Sequence, residues 1–185
     1  MRLICTLLAA CCAQAALADE PTETAALEQQ ARELVTQFVG RLKPELRQAM
    51  ADGGPTHAIE VCASEAPKIA DALSAESGWS VRRVSLRARN ASRATPDQWE
   101  RRALEEFDRR QAAGEAAQTI QVSATSGDRY RYMQAQGTEG VCLVCHGASP
   151  APAVENVLQK YYPDDQATGY KMGQVRGAIS LSHPL

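Results

Sequence analysis

Cys142-Leu143-Val144-Cys145-His146 is the stretch around which the rest of the chain reads as a scaffold. Two thiols three residues apart, followed directly by an imidazole, form the attachment pattern of c-type haem. The spacing has a chemical reason. Each sulfur can form a thioether to one vinyl carbon of the porphyrin, and the adjacent histidine then falls beneath the iron. Two other readings of the five residues compete. A thioredoxin-like redox pair is expected near a βαβ pattern, and the chain shows none. A zinc-binding module needs two further ligands, for which Cys62, His57 and His183 are the residues left outside the motif.

At 185 residues the chain has the length of one domain with a sizeable core. Its start is of another kind. Arg2 is followed by an apolar run from Leu3 to Leu17, and Ala16-Leu17-Ala18 has the small-residue form of a cleavage site before Asp19. Residues 1–18 are therefore read as a signal peptide and 19–185 as the single domain, exported to the periplasm. An alternative is a lipoprotein box at Leu8-Ala9-Ala10-Cys11, which would leave a lipid anchor on Cys11. No later stretch reaches the roughly 18 apolar residues of a membrane span. Of six cysteines, Cys5, Cys11 and Cys12 fall in the leader, so the domain keeps Cys62, Cys142 and Cys145. If the motif uses two of them, Cys62 is a lone thiol in an oxidising compartment, where it is expected to be buried, paired or bound to metal. Lys and Arg number 20 against 22 Asp and Glu, which leaves no electrostatic footprint for nucleic acid. The charged run 101–110 resolves into helix-face pairs, Glu105 with Arg109 and Glu106 with Arg110.

Residues 22–50 carry Leu27, Ala31, Leu34, Phe38, Leu42 and Leu46 at helical spacing, with Pro44 expected to bend or divide the helix. Asp52-Gly53-Gly54-Pro55 is a breaker. A second helix is expected over 56–75 with Ile59, Cys62, Ala66, Ile69 and Leu73 inward, a kink at Pro67, and Gly78 past its end. Residues 79–89 read as a strand with Val84, Leu86 and Ala88 on one face. Its arginines Arg82, Arg83, Arg87 and Arg89 are either a charged outer face or, for one or two of them, partners of haem propionates. Thr95-Pro96-Asp97-Gln98 has the form of a capping box opening a helix with Trp99, Ala103 and Phe107, which Gly114 ends. A hairpin over 119–125 and 129–136, a short helix over 154–161 and a last strand carrying Val175, Gly177, Ile179 and Leu181 complete an α+β domain with a small antiparallel sheet. For a second axial ligand opposite His146 the residues leave several candidates. Met133 and Met172 suit an electron carrier, His57 or His183 would make a bis-imidazole site, although His57 is expected to be exposed at a helix start and His183 frayed two residues from the end, and Cys62 lies on an apolar helix face.

These blocks together resemble a family of small exported domains that carry one c-type haem on a PAS-like sheet. The resemblance rests on Ala58-Ile59 to Cys62 and on to Ile69-Ala70, and on Arg82-Arg83-Val84-Ser85-Leu86 to Arg89-Asn90. It continues through Cys142-Leu143-Val144-Cys145-His146-Gly147 and through Tyr162-Pro163-Asp164-Asp165-Gln166-Ala167-Thr168-Gly169-Tyr170 to Arg176-Gly177-Ala178. It implies an iron held by His146 and by the early-helix cysteine, here Cys62. Met133-Gln134-Ala135-Gln136 departs from the proline-containing approach to the motif that relatives often have. The resemblance also implies redox or small-ligand sensing, with a diatomic gas as a candidate ligand and a separate redox or signalling partner. The rival class is a soluble electron-transfer cytochrome c. A haem peroxidase-like enzyme would need a distal base, for which the sequence offers no strong candidate, so no enzymatic activity is expected.

Overall fold

The apolar repeat that begins at Leu27 winds into α1 (Glu23–Ser77), a helical run of 55 residues with one residue out of helical geometry, Gly54 at φ 69°, ψ −164°. The structure is a computed structural model and describes residues 23–185; the leader over 1–18 and the Cys11 alternative lie outside the described residues. Gly54 breaks the helix because a positive φ suits a residue without Cβ, and Pro55 behind it can offer no amide hydrogen. The expected breaker is therefore real, and it acts through one residue. Dihedrals stay helical at Pro44 and Pro67, so the turn between the two arms is made at Gly54.

The two arms of α1 meet each other. Arg41 forks onto both carboxylate oxygens of Glu76 at 3.0 and 2.7 Å, and Trp79 Nε1 donates to Gln30 at 3.4 Å. Leu34 and Phe38 of the first arm and Leu73 of the second share a core with Trp79, Val81, Tyr130, Tyr132, Ile179 and Leu181. The strands are β1 (Ser80–Val84), β2 (Gln121–Ser126), β3 (Arg129–Gly137) and β4 (Val175–Pro184), in the order β1-β4-β3-β2 with every pairing antiparallel. The opposite face of the sheet is covered by α3 (Gln98–Ala112), whose Leu104 and Phe107 pack with Val84, Met133, Ala135 and Ala178. The molecule is α+β, a long N-terminal helix with a four-stranded antiparallel sheet.

Three local expectations need correction. The first strand stops at Val84 instead of running to residue 89. The Ser85 hydroxyl lies 2.9 Å from the Arg87 carbonyl and 2.7 Å from that of Arg176, and these side-chain bonds to backbone turn the chain out of the ladder into the short helix α2 (Ala91–Ala94). Leu86 and Ala88 thus do not continue Val84's strand face. The capping box of α3 is Asp97 with Glu100, two residues later than read: Glu100 N–H donates to Asp97 Oδ1 at 2.9 Å and Asp97 N–H to Glu100 Oε2 at 2.8 Å. His183 is not a frayed terminal residue. It pairs with Tyr130 in the ladder, and its ring centroid lies 5.0 Å from that of Trp79. Among the described residues no helix is long and apolar enough to cross a membrane.

Candidate functional site

After β3 the chain makes a single 3-10 turn and then the one-turn helix α4 (Leu143–His146), with Cys142 at its N-cap. A spacing of three along a helical turn puts Cys142 and Cys145 on the same side. Both are free thiols, as is Cys62. Gly147 closes the turn, its N–H donating to Leu143 at 2.9 Å. A Cβ there would stand 2.5 Å from the Leu143 carbonyl oxygen, so the residue after the histidine has to be glycine.

The tautomer of His146 follows from its two neighbours. Nδ1 lies 2.6 Å from the Ala167 carbonyl, which can only accept, so Nδ1 carries the hydrogen. Nε2 faces Arg89 Nη1 at 3.4 Å, a group that can only donate, so Nε2 holds a lone pair. Burial, and after it the charge of Arg89, push this imidazole down to about 3, with the Ala167 carbonyl opposing. His146 is therefore neutral, oriented through Nδ1–H, and ready to donate through Nε2, which is the state of a metal-ligating histidine.

That orientation depends on a loop distant in sequence. Asp165 accepts from Ala167 N–H at 2.8 Å with Oδ1 and from Arg89 Nε at 3.1 Å with Oδ2. Arg89 Nη2 donates to the Cys145 carbonyl at 2.5 Å and to that of Ala167 at 3.3 Å. Gly169 N–H reaches the Gly147 carbonyl at 2.8 Å and Tyr170 N–H that of His146 at 2.9 Å. The Tyr170 ring meets the imidazole edge-on at 6.1 Å, and the Arg87 guanidinium lies over the Tyr170 ring, 3.7 Å from its centroid. Asp165, Ala167 and Tyr170 were not singled out as site residues from the sequence. The signal available was the turn-rich block from Tyr162 to Tyr170, whose purpose shows once it folds back on the motif.

Cys62 approaches from the second arm of α1. One turn before it, Ile59 packs with Val154 and Leu158 of α5 (Pro152–Tyr161), and Cys145 and Tyr162 lie against that cluster. Burial raises the Cys62 thiol, and the charges of Arg83 and Arg89 pull the other way; burial likewise raises Cys145, against Arg89. The structure thus gathers Cys62, Cys145, His146, Arg83 and Arg89 in one electrostatic neighbourhood. Arg83 is held below its ordinary range by burial and donates to Gln136 at 3.1 Å; among the described residues no carboxylate forms an ion pair with it.

The other candidates disperse. Met133 is fully buried in the core under α3, and Met172 is 62% exposed on a turn. His57 is half-exposed beside Glu60 at 3.7 Å, and His183 stacks on Trp79 away from the motif. Among the described residues no three His, Cys, Asp or Glu side chains group as a metal-holding set. The four arginines do not form one outer face: Arg82 turns to the buried Glu100, Arg83 to the Cys62 side, Arg87 to Tyr170 and Arg89 to His146.

A long helix folded on a four-stranded antiparallel sheet, with a Cys-X-X-Cys-His turn clamped against a loop, defines the class. The chain belongs to the Tll0287-like family, whose model matches residues 13–184. Among solved structures it is similar to the cyanobacterial heme-protein Tll0287, with 27% sequence identity and a TM-score of 0.63 over 89% of this chain and 96% of that one. No curated protein matches the chain.

Proposed function

We propose that this is an exported c-type haem protein that holds one haem through thioethers from Cys142 and Cys145 and through His146 Nε2, with Cys62 as the second axial donor. The observation that carries this reading is the state of His146, neutral and hydrogen-bonded through Nδ1 so that Nε2 alone is left to donate. The surrounding charge fits as well. Arg83 and Arg89 stand beside the thiols against the single carboxylate of Asp165, and a porphyrin brings two carboxylates of the shape that guanidinium forks recognise. When bound, the haem would supply one-electron chemistry and an iron that a diatomic ligand could reach by replacing Cys62. Cys62, neutral in the unloaded chain, would give up its proton on becoming a metal donor.

The role we infer is redox or small-ligand sensing in the periplasm, with a separate redox or signalling partner and without catalysis. Two features support it. Cys62 rides on a helix arm that is tied to the rest of α1 through one glycine, so an exchange at that sulfur has an element to move. The antiparallel sheet with helices on both faces supports the PAS-like reading, and the apolar leader supports export. The test is direct. Protein made in cells that attach c-type haem is extracted with acid acetone and weighed by mass spectrometry. The wild type is expected to keep one haem, and the double variant Cys142→Ser, Cys145→Ser to release it; extractable haem, or zinc with no haem, defeats the proposal. Carbon monoxide added to the reduced protein then separates the roles: uptake is expected of the sensor, and refusal marks an electron-transfer cytochrome.

A further inference from the structure

We propose that Arg89 is a two-position residue: in the unloaded chain its guanidinium caps Nε2 of His146, and it must leave that nitrogen before a metal can take it. This deepens the haem reading, on which it depends only for what replaces the arginine.

The contacts of Arg89 divide into anchors and a cap. Nε is held by Asp165 at 3.1 Å, and Nη2 by the carbonyls of Cys145 at 2.5 Å and Ala167 at 3.3 Å. Nη1 reaches His146 Nε2 at 3.4 Å, the longest of the four. The pair is shielded from water, with Arg89 14% and Asp165 10% exposed, so the anchors keep most of their strength. Giving up the cap leaves three bonds intact. Without the cap, the unloaded chain would carry a buried imidazole nitrogen with no partner, which costs stability. A lysine could not replace it, because one ammonium lacks the fork that holds Asp165, two carbonyls and the imidazole together.

The same geometry orders events at the site. His146 is oriented before any cofactor arrives, because the Ala167 carbonyl and Asp165 belong to the loop and not to the ligand. Nε2 is meanwhile occupied by a donor that competes with stray electrophiles and metal ions. Once displaced, Nη1 is a charged donor released for an anionic group to accept, while Asp165 still holds the arginine's root.

Acylation of imidazole by diethyl pyrocarbonate, mapped by peptide mass spectrometry, reads the cap without any haem. In the unloaded full chain at pH 7, His57 is the exposed internal control. His146 is expected to react at least about tenfold more slowly than His57, the factor that one charge-assisted hydrogen bond corresponds to. Arg89→Met, which keeps length and loses every donor, should speed His146 by about that factor over the wild type, with burial still holding it below His57. Circular dichroism checks that the variant is folded. If it is not, Asp165→Asn, which loosens the anchor at equal size, takes its place and should give intermediate reactivity. A wild-type His146 as reactive as His57 overturns the cap, and so does a folded variant in which His146 reacts no faster than in the wild type. Haemin added to the same unloaded proteins and followed by its absorbance tests displacement. Faster uptake by Arg89→Met than by the wild type supports it, and equal rates overturn it. Uptake by neither, with His146 capped as expected, defeats the haem reading and leaves the cap standing.

Discussion

Two ends of one sheet face, covered by the same helix, are built on opposite terms. At one end Val81, Leu181, Tyr130 and Tyr132 close against Leu34, Phe38 and Leu73 with no gap for solvent. Two residues further along β1, on the same face by strand alternation, Val81 gives way to Arg83. There the surroundings are Cys62, Gln136, Tyr162 and Arg89, partly exposed and short of negative charge. A core that only had to be stable would extend the apolar packing along the face. A partly buried arginine beside Cys62 and Cys142, with no carboxylate ion-paired to it among the described residues, is instead what a fold keeps when another group supplies the missing contacts.

That contrast breaks first under core truncation. Phe38→Ala removes a side chain with no exposed surface from the closed end, and is expected to cost about 3–5 kcal/mol in denaturant unfolding. Arg83→Met, at the open end, should leave the midpoint of the unloaded chain unchanged or raise it, since a poorly compensated charge is replaced by an apolar group of similar length. If both substitutions destabilise alike, the two ends are one core and the contrast is wrong.

The next effect is spectroscopic. If the chain holds haem as proposed, Cys62→Ala is expected to leave the haem attached, change the ferric spin state and raise the reduction potential, because a thiolate donates charge to ferric iron. Met172→Ala, on its exposed turn, should do neither. A silent Cys62 variant with an altered methionine variant would transfer the second ligand to the electron-carrier arrangement.

The smallest effect lies on the far side of the sheet, at the helix cap. Burial works against the Asp97 carboxylate, but the Glu100 N–H and Arg131, 2.7 Å away, outweigh it and hold the group below its usual range. Its stabilisation is complete above about 3.9, the unfolded carboxylate value. It is lost as pH falls through the lower folded value. Asp97→Ala should cost about 1 kcal/mol at neutral pH. It should also flatten the loss of stability on acidification, which a pH series of melting curves would check, without touching the haem spectrum.

Much of the fold was legible because its signals are local. The helical repeat from Leu27, the Gly-Pro break, the hairpin over 119–136 and the alternation from Val175 each act within a few residues, where propensity and periodicity operate. The errors fell where a side chain spoke to distant backbone: Ser85 reaching Arg176 ended β1 early, and Glu100 with Asp97 moved the cap by two residues. The Cys-X-X-Cys-His turn itself needed no fold to be read, since its three residues lie within five positions of the sequence. Its orientation did. Arg89 and Asp165 are 76 residues apart, as their contact records, and Ala167 carries no chemical mark in the sequence. The composition and order of residues determined that Cys142, Cys145 and His146 form one unit. Only the tertiary structure decided which nitrogen of His146 keeps the lone pair, because a tautomer is set by whichever carbonyl and guanidinium the fold brings to the ring.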